Sequence, residues 1–238
     1  GDEIREGDIM IICIDAGHTP NVDPGACANG LKEVSLTGDI CDRIITKLAA
    51  YDADVRLVPR TDSLQARCDY ANSIGADCFI SVHINAGGGT GFESYIHPSA
   101  GERTKQIQAS LHEACMACNR QYGVPDRGQK TAQFTVLAKT NMPTVLLELC
   151  FIDHPHDSTL LKSDLYLNDI ANEIAWGIVE FCGLKLWAPD SLEVAIGRLQ
   201  QAGIIASPDY WLENAQAGKT CRGDYVAGLI RNMAGTLI

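Results

Sequence analysis

Apolar positions along the chain fall into two alternating periods. Met10-Ile11-Ile12-Cys13-Ile14, Cys78-Phe79-Ile80 leading into Ser81-Val82-His83-Ile84-Asn85, and Val145-Leu146-Leu147-Glu148-Leu149 are nearly continuous apolar runs. That is the pattern of strands covered on both faces. Val55-Arg56-Leu57-Val58, Gly91 to Ile96 and Phe134-Thr135-Val136-Leu137 are predicted as further short strands. Between them the period lengthens. Leu36, Ile40, Ile44 and Leu48 recur every four residues and predict a helix from about Glu33. Ser63 is placed to cap a helix carrying Leu64, Arg67, Ala71, Asn72 and Ile74 that stops at Gly75. Ile107, Leu111, Cys115 and Cys118 share one face of a helix over 101–121. Leu165, Ile170, Ile174, Ile178 and Phe181 do so on a last helix near 158–182. Strand and helix alternate, so 10–185 is expected to be one α/β domain, a mostly parallel twisted sheet flanked by helices.

Residues 1–9 are polar and acidic and read as an extension ahead of that domain. After Trp187-Ala188-Pro189 the composition changes. Residues 190–238 hold three short helix-like pieces, at 191–201, 207–217 and 225–234, and are expected to form a small all-α C-terminal appendage. Tyr210 and Trp211 there are read as packing residues.

Composition narrows the field. Apolar residues make up 46% and charged residues 21%, which describes a globular protein. The net charge is −11, and no basic patch is visible, so a nucleic-acid partner is not expected. No apolar run approaches the length of a transmembrane segment. Of ten cysteines, Cys13, Cys41, Cys78, Cys150 and Cys182 lie in apolar periodic runs and read as small buried hydrophobes of a protein made in a reducing compartment. Cys115-x-x-Cys118 lies within a predicted helix and has no second pair at zinc-finger spacing.

Four polar residues stand at the ends of predicted elements: His18 after Asp15-Ala16-Gly17, Glu33 in the first turn of a helix, His83 ahead of Gly87-Gly88-Gly89, and Glu148 inside an apolar strand. Glu33 alone is explained by the helix dipole. Glu148 is not explained by a helix salt bridge, because a carboxylate buried in a strand needs a cation or a shifted pKa. Two histidines and one carboxylate make a catalytic zinc set with one position left for water or substrate. A second carboxylate outside that set would serve as general base. No His-Glu-x-x-His helix occurs, which excludes the common metalloprotease arrangement.

In order along the chain, Ile14-Asp15-Ala16-Gly17-His18, Asp23-Pro24-Gly25-Ala26, Gly30 with Glu33, Arg60, Arg67 with Ala71-Asn72, Ser81-Val82-His83-Ile84-Asn85-Ala86, and Leu147-Glu148 with Phe151-Ile152 resemble the zinc-dependent N-acetylmuramoyl-L-alanine amidases. The branch concerned is the amidase-3 type of bacterial autolysins, spore-cortex amidases and phage endolysins. The resemblance runs from about residue 10 to 182. It implies one zinc ion held by His18, Glu33 and His83, with Glu148 as catalytic base. It implies cleavage of the amide between the lactyl group of N-acetylmuramic acid and L-alanine in peptidoglycan. Asp15 or Asn85 is expected to orient a ligand histidine from behind. Arg67 and Asn72 are expected to tie a helix to the sheet, and Lys139 is a candidate contact to a carboxylate of the stem peptide. Thr19-Pro20, Cys150 and Asp153-His154 depart from the family pattern. The spaced pair His154 and His156 is read as solvent-exposed. Another wall amide, or wall binding without catalysis, are the alternative functions. The expected partner is peptidoglycan, with recognition of a particular wall or self-association into a homo-oligomer assigned to 190–238. The expected route is endolysin-like, synthesis in the cytoplasm and action on the cell wall. The alternative is secretion on a signal peptide outside this sequence.

Overall fold

A computed structural model describes residues 9–186, 196, 199–200, 203–215 and 219–235. The chain divides into two compact units, 1–185 and 186–238.

The first unit is built on a six-stranded sheet. Its strands are β1 (Met10–Ala16), β4 (Ala53–Leu57), β5 (Cys78–Asn85), β6 (Phe92–Ile96), β7 (Asp126–Thr131) and β8 (Thr144–Phe151), in the spatial order β4-β1-β5-β8-β6-β7. β4, β1, β5 and β8 run parallel. β6 pairs antiparallel with β8, and β7 follows β6 in parallel. The long connections are helical: α1 (Glu33–Leu48), α2 (Leu64–Ser73), α3 (Glu102–Gln121), α4 (Thr135–Lys139), α5 (Pro155–Leu160) and α6 (Asp164–Cys182). A two-stranded hairpin, β2 (Cys27–Ala28) with β3 (Leu31–Lys32), leads into α1.

Alternation along the strands explains the layers. Ile12, Ile14, Ile80, Val82, Val145 and Leu147 point to one face and pack with α1, α3 and α6. Cys13, Phe79 and Leu146 point to the other and pack with Cys68 and Ala71 of α2 and Val136 and Leu137 of α4. Both faces are covered, which is why the strands read as apolar runs. Ser63 caps α2 by accepting from the Ala66 N–H at 3.2 Å.

Three expectations are corrected. Phe134 to Leu137 is not a strand. Residues 135–139 are α4, and Phe134 precedes it in extended conformation. The strand of that region is β7, whose polar sequence carries no apolar alternation because it is an edge, paired among the described residues with β6 alone. A four-residue apolar run does not separate strand from helix by period alone. The helix near 158–182 is two helices, broken where the Ser163 side chain caps α6. Leu165, assigned to its apolar face, is 63% exposed. The strand at 55–58 begins two residues earlier, at Ala53.

In the second unit the described helices are α7 (Pro208–Asn214) and α8 (Gly223–Gly235). Trp211 packs with Ile196 and Ile205, and Tyr210 stacks on Tyr225 with ring centroids 3.8 Å apart. Most of the expected helix over 191–201 lies outside the described residues. All ten cysteines are free, and Cys115 and Cys118 are buried on α3.

Candidate metal centre

The sheet face covered by α2 and α4 is where polar residues collect at the carboxyl ends of the strands. His83 of β5 lies beside Glu148 of β8 in register, so the two side chains emerge as neighbours. His18 stands just beyond β1 in a left-handed conformation, φ +67°. For a residue other than glycine that is strained, by about 1–3 kcal/mol. Glu33 comes from the opposite layer: the hairpin brings the first turn of α1 up to the strand ends, with the Glu33 N–H on the Ala26 carbonyl at 2.9 Å.

The three side chains converge. Glu33 Oε2 is 3.0 Å from His18 Nε2, and Glu33 Oε1 is 3.1 Å from His83 Nδ1. One donor atom from each residue lies within 4.8 Å of the others. Glu33 is 4% exposed and also accepts from the backbone N–H of Ala26 (2.9 Å) and Ile84 (3.0 Å). Two glycines make the space. A Cβ on Gly17 would lie 2.5 Å from the His83 ring, and one on Gly25 would lie 2.5 Å from His18 and 2.6 Å from Glu33. The imidazole of His18 is held from behind, Nδ1 lying 2.6 Å from Asp23 Oδ2. Asp23 is itself fixed by backbone bonds in both directions with Thr19.

This donor chemistry fits a divalent cation. Two imidazoles and a carboxylate with a carboxylate partner behind one imidazole is the composition of an open catalytic zinc set. Without a cation, protonation takes its place. Glu33 pushes His18 up to about 9, against burial and with help from Asp23. Burial alone would raise Glu33, but the two imidazoles and two N–H donors outweigh it and hold its carboxyl well below the usual range.

Glu148 stands apart from these contacts. Its Oε2 is enclosed and without a hydrogen-bond partner among the described residues, while the residue as a whole is half-buried. Burial pushes its carboxyl up to about 7; His83 opposes the rise, and Glu33 and Glu93 add to it. A carboxyl that titrates near neutrality is suited to exchanging a proton. It lines a cleft of about 500 Å³ together with His18, His83, Asp23, Leu64 and Phe134.

Of the supporting residues, Asp15, Asn85 and Lys139 differ from expectation. Asp15 does not orient a histidine ring. Its carboxylate binds Arg67 at 2.9 Å and Ser81 at 2.7 Å. Arg67, 2% exposed, does tie α2 to the sheet, and it also donates to the carbonyls of Ala16 (2.8 Å) and His18 (2.7 Å) and to Thr19 Oγ1 (3.0 Å). Asp15 therefore reaches His18 through Arg67 and the backbone. Asn85 donates to Glu93 at 2.7 Å and makes no contact to an imidazole. Lys139 is exposed at the end of α4 and does not line the cleft. Its carbonyl accepts from Asn72, which joins α2 to the segment after α4. His154 contacts Asp157 and the exposed His156 contacts the Tyr122 carbonyl, so they form no metal pair. Sequence reasoning missed Asp23 as a side chain with a job, and Glu93. The first sits among turn formers, and the second alternates as a surface residue of a strand would.

Residues 12–180 match the profile of a family described as N-acetylmuramoyl-L-alanine amidase. The chain is 42% identical over 182 residues to an endolysin of Bacillus phage SPP1, a match covering 74% of this chain and 67% of that protein. It is 39% identical over 212 residues to a sporulation-specific N-acetylmuramoyl-L-alanine amidase of Bacillus subtilis (strain 168), covering 87% and 80%. Among solved structures, the catalytic domain of CwlV, an N-acetylmuramoyl-L-alanine amidase from Bacillus (Paenibacillus) polymyxa var. colistinus, superposes with a TM-score of 0.68 at 27% identity, over 74% of this chain and all of that one.

Proposed function

This chain belongs to the N-acetylmuramoyl-L-alanine amidase family, and from that premise we propose how its residues cleave the amide joining N-acetylmuramic acid to L-alanine in peptidoglycan. The observation that carries the reading is a neutral-range carboxyl, Glu148, next in register to His83 of a three-donor set. His18, Glu33 and His83 would hold a zinc ion. When bound, that ion supplies a Lewis acid for the amide carbonyl and lowers the pKa of a water molecule toward neutrality.

The chain's own groups do the rest. Asp23 keeps the His18 ring aimed by accepting a hydrogen bond from its Nδ1–H. Arg67 keeps the carbonyl of His18 where the strained backbone needs it. Glu148 accepts the proton of the attacking water and returns it to the nitrogen of the leaving L-alanine, whose peptide departs as an amine. The Phe134 and Leu64 side chains, 42% and 47% exposed, offer the cleft apolar walls for a substrate.

The test is amine release from purified peptidoglycan by wild type, Glu148→Ala, and protein stripped by chelator and then given zinc. New N-terminal alanine from wild type and zinc-restored protein alone is the expected result. Full activity of Glu148→Ala would remove the assigned base.

The chain acts on the cell wall. Synthesis in the cytoplasm followed by endolysin-like release is the finer proposal, supported by the likeness to the phage endolysin. Among the described residues no helix is long and apolar enough to cross a membrane. For 190–238, wall recognition and self-association are both proposals, separated by deleting the segment and repeating wall sedimentation and sizing.

A further inference from the structure

β6 and β7 carry a charged cluster that the reaction above does not use. Glu93 of β6 lies directly across from Glu148 in the antiparallel register, so both carboxyls emerge on the same face, one strand apart. Glu93 is 3% exposed and takes four donors: Arg127 Nε at 2.8 Å, Asn85 Nδ2 at 2.7 Å, the Tyr95 hydroxyl at 2.9 Å, and Lys130 Nζ. Two cations therefore face one buried anion. Asn85 and Tyr95 already satisfy Oε1, so Oε2 needs one cation and has two.

The second cation leaves surplus positive charge on a chain of net charge −11. Both side chains keep about a third of their surface in solvent, 35% for Arg127 and 36% for Lys130. Beyond Glu93, the one hydrogen-bond acceptor of Arg127 among the described residues is the Thr90 carbonyl, at 3.4 Å. Its Nη2 and the remaining ammonium protons of Lys130 meet no acceptor among the described residues. The pair is also held in place. The guanidinium lies 4.7 Å over the Phe151 ring, and Lys130 lies 5.9 Å from the centre of the Tyr95 ring. Tyr95 in turn packs on Phe134 of the cleft wall, at 5.4 Å. Arg127 passes Gly91 so closely that a Cβ there would sit 2.9 Å from its Cγ. Prepositioned donors with free N–H groups bind an anion with little ordering cost.

Distance selects the anion. Neighbouring strands are about 4.8 Å apart, which puts the pair roughly 5–10 Å from Glu148. An extended peptide advances about 3.5 Å per residue, so that distance from the scissile nitrogen falls on the second residue of the leaving peptide. The sugar half has no free carboxylate once its lactyl group is in the amide. The geometry points to Arg127 and Lys130 as a carboxylate site for the leaving peptide, specificity-determining residues that favour a stem whose second residue keeps a free carboxylate over one in which it is amidated. This rests on the amidase reading.

The experiment compares two soluble muramyl-L-alanyl peptides that differ only in a carboxylate or a carboxamide on the second residue. They are given to the full chain, to Lys130→Gln and to Arg127→Gln, with melting curves for folding. Wild type is expected to prefer the carboxylate about tenfold in kcat/KM, mainly through KM, as befits one charge-assisted contact. The preference should shrink with added salt, and each variant should bring the ratio close to one. A wild-type ratio of one overturns the proposal. So does a variant that slows both substrates equally and keeps the ratio, because that is the mark of a structural role for the cations. If a variant does not fold, the wild-type ratio and its salt dependence still decide. If wild type cleaves neither substrate, the amidase reading fails and takes the carboxylate site with it.

Discussion

Replacing Glu148 by Gln should abolish hydrolysis and at the same time stabilise the metal-free protein in a pH-dependent way. Burial raises this carboxyl from about 4.5 in the unfolded chain to about 7 in the fold. Between those values the folded state binds the proton more tightly, so stability falls as pH rises through the window. Each pH unit is worth about 1.4 kcal/mol, which makes the cost roughly 3 kcal/mol above pH 8 and about 1 kcal/mol at pH 5. Gln keeps the shape and the enclosed polar atom but not the charge. Urea unfolding of chelated wild type and Glu148→Gln at the two pH values isolates the effect, since His18 and Glu33 titrate in both proteins and all but their coupling to Glu148 drops out of the difference. The variant should be ahead by about 1 kcal/mol at pH 5 and by roughly 3 kcal/mol at pH 8, which for a domain of this size is about 6–12 °C in Tm. Added zinc should narrow the gap, because a cation beside the carboxylate compensates its desolvation. A gap of the same size at both pH values would refute the reasoning: Glu148 would then titrate in the fold as it does in the unfolded chain.

Three other outcomes follow from the geometry. Asp23→Ala removes the carboxylate behind His18 and should weaken zinc binding by about 10–100-fold in a chelator competition, with activity recovered at higher zinc. Asp15→Ala leaves Arg67 buried without its counter-charge and should lower unfolding stability by about 3–5 kcal/mol, measured in urea, without touching a metal donor. Gly25→Ala meets both a positive φ of +66° and a 2.5 Å collision with His18. Zinc stoichiometry should drop well below one per chain, and normal loading would show that the loop yields without losing the site.

The fold was legible in proportion to how completely each element is buried. β1, β5 and β8 lie inside the sheet with helices on both faces, so apolar residues dominate them and the polar ones stand out toward their carboxyl ends. α1, α3 and α6 each press one face on that sheet, and their four-residue spacing follows. The edge escaped. β7 reads Asp-Arg-Gly-Gln-Lys-Thr because one side of its backbone has no partner strand and its side chains meet solvent in turn. The nearby apolar run has the composition of a strand, although it is a single helical turn laid on the α2 side of the sheet.

The site was legible for the same reason in reverse. A histidine or a glutamate inside an otherwise apolar strand is conspicuous because burying it is unfavourable unless something compensates, so His83 and Glu148 announced themselves. Glu33 was ambiguous alone, since a helix N-terminus explains an acid without further help. The tightest supporting contacts come from residues with no such contrast. Asp23 sits in a stretch where every neighbour is polar or a turn former, and what marks it is the 2.6 Å approach to a ring five residues away. Asp15 stands out in its strand, but its partner is hidden, because a sequence gives no sign that a guanidinium from α2 stands between it and the histidine. Glu93 looked like the outward residue of an alternating strand, and only the six-stranded order shows that its outward face is the row continuing from His83 through Glu148. Contrast with local surroundings picks out the side chains that are candidates for chemistry. The residues that aim them are fixed by topology, and they become visible only when the strands are laid side by side.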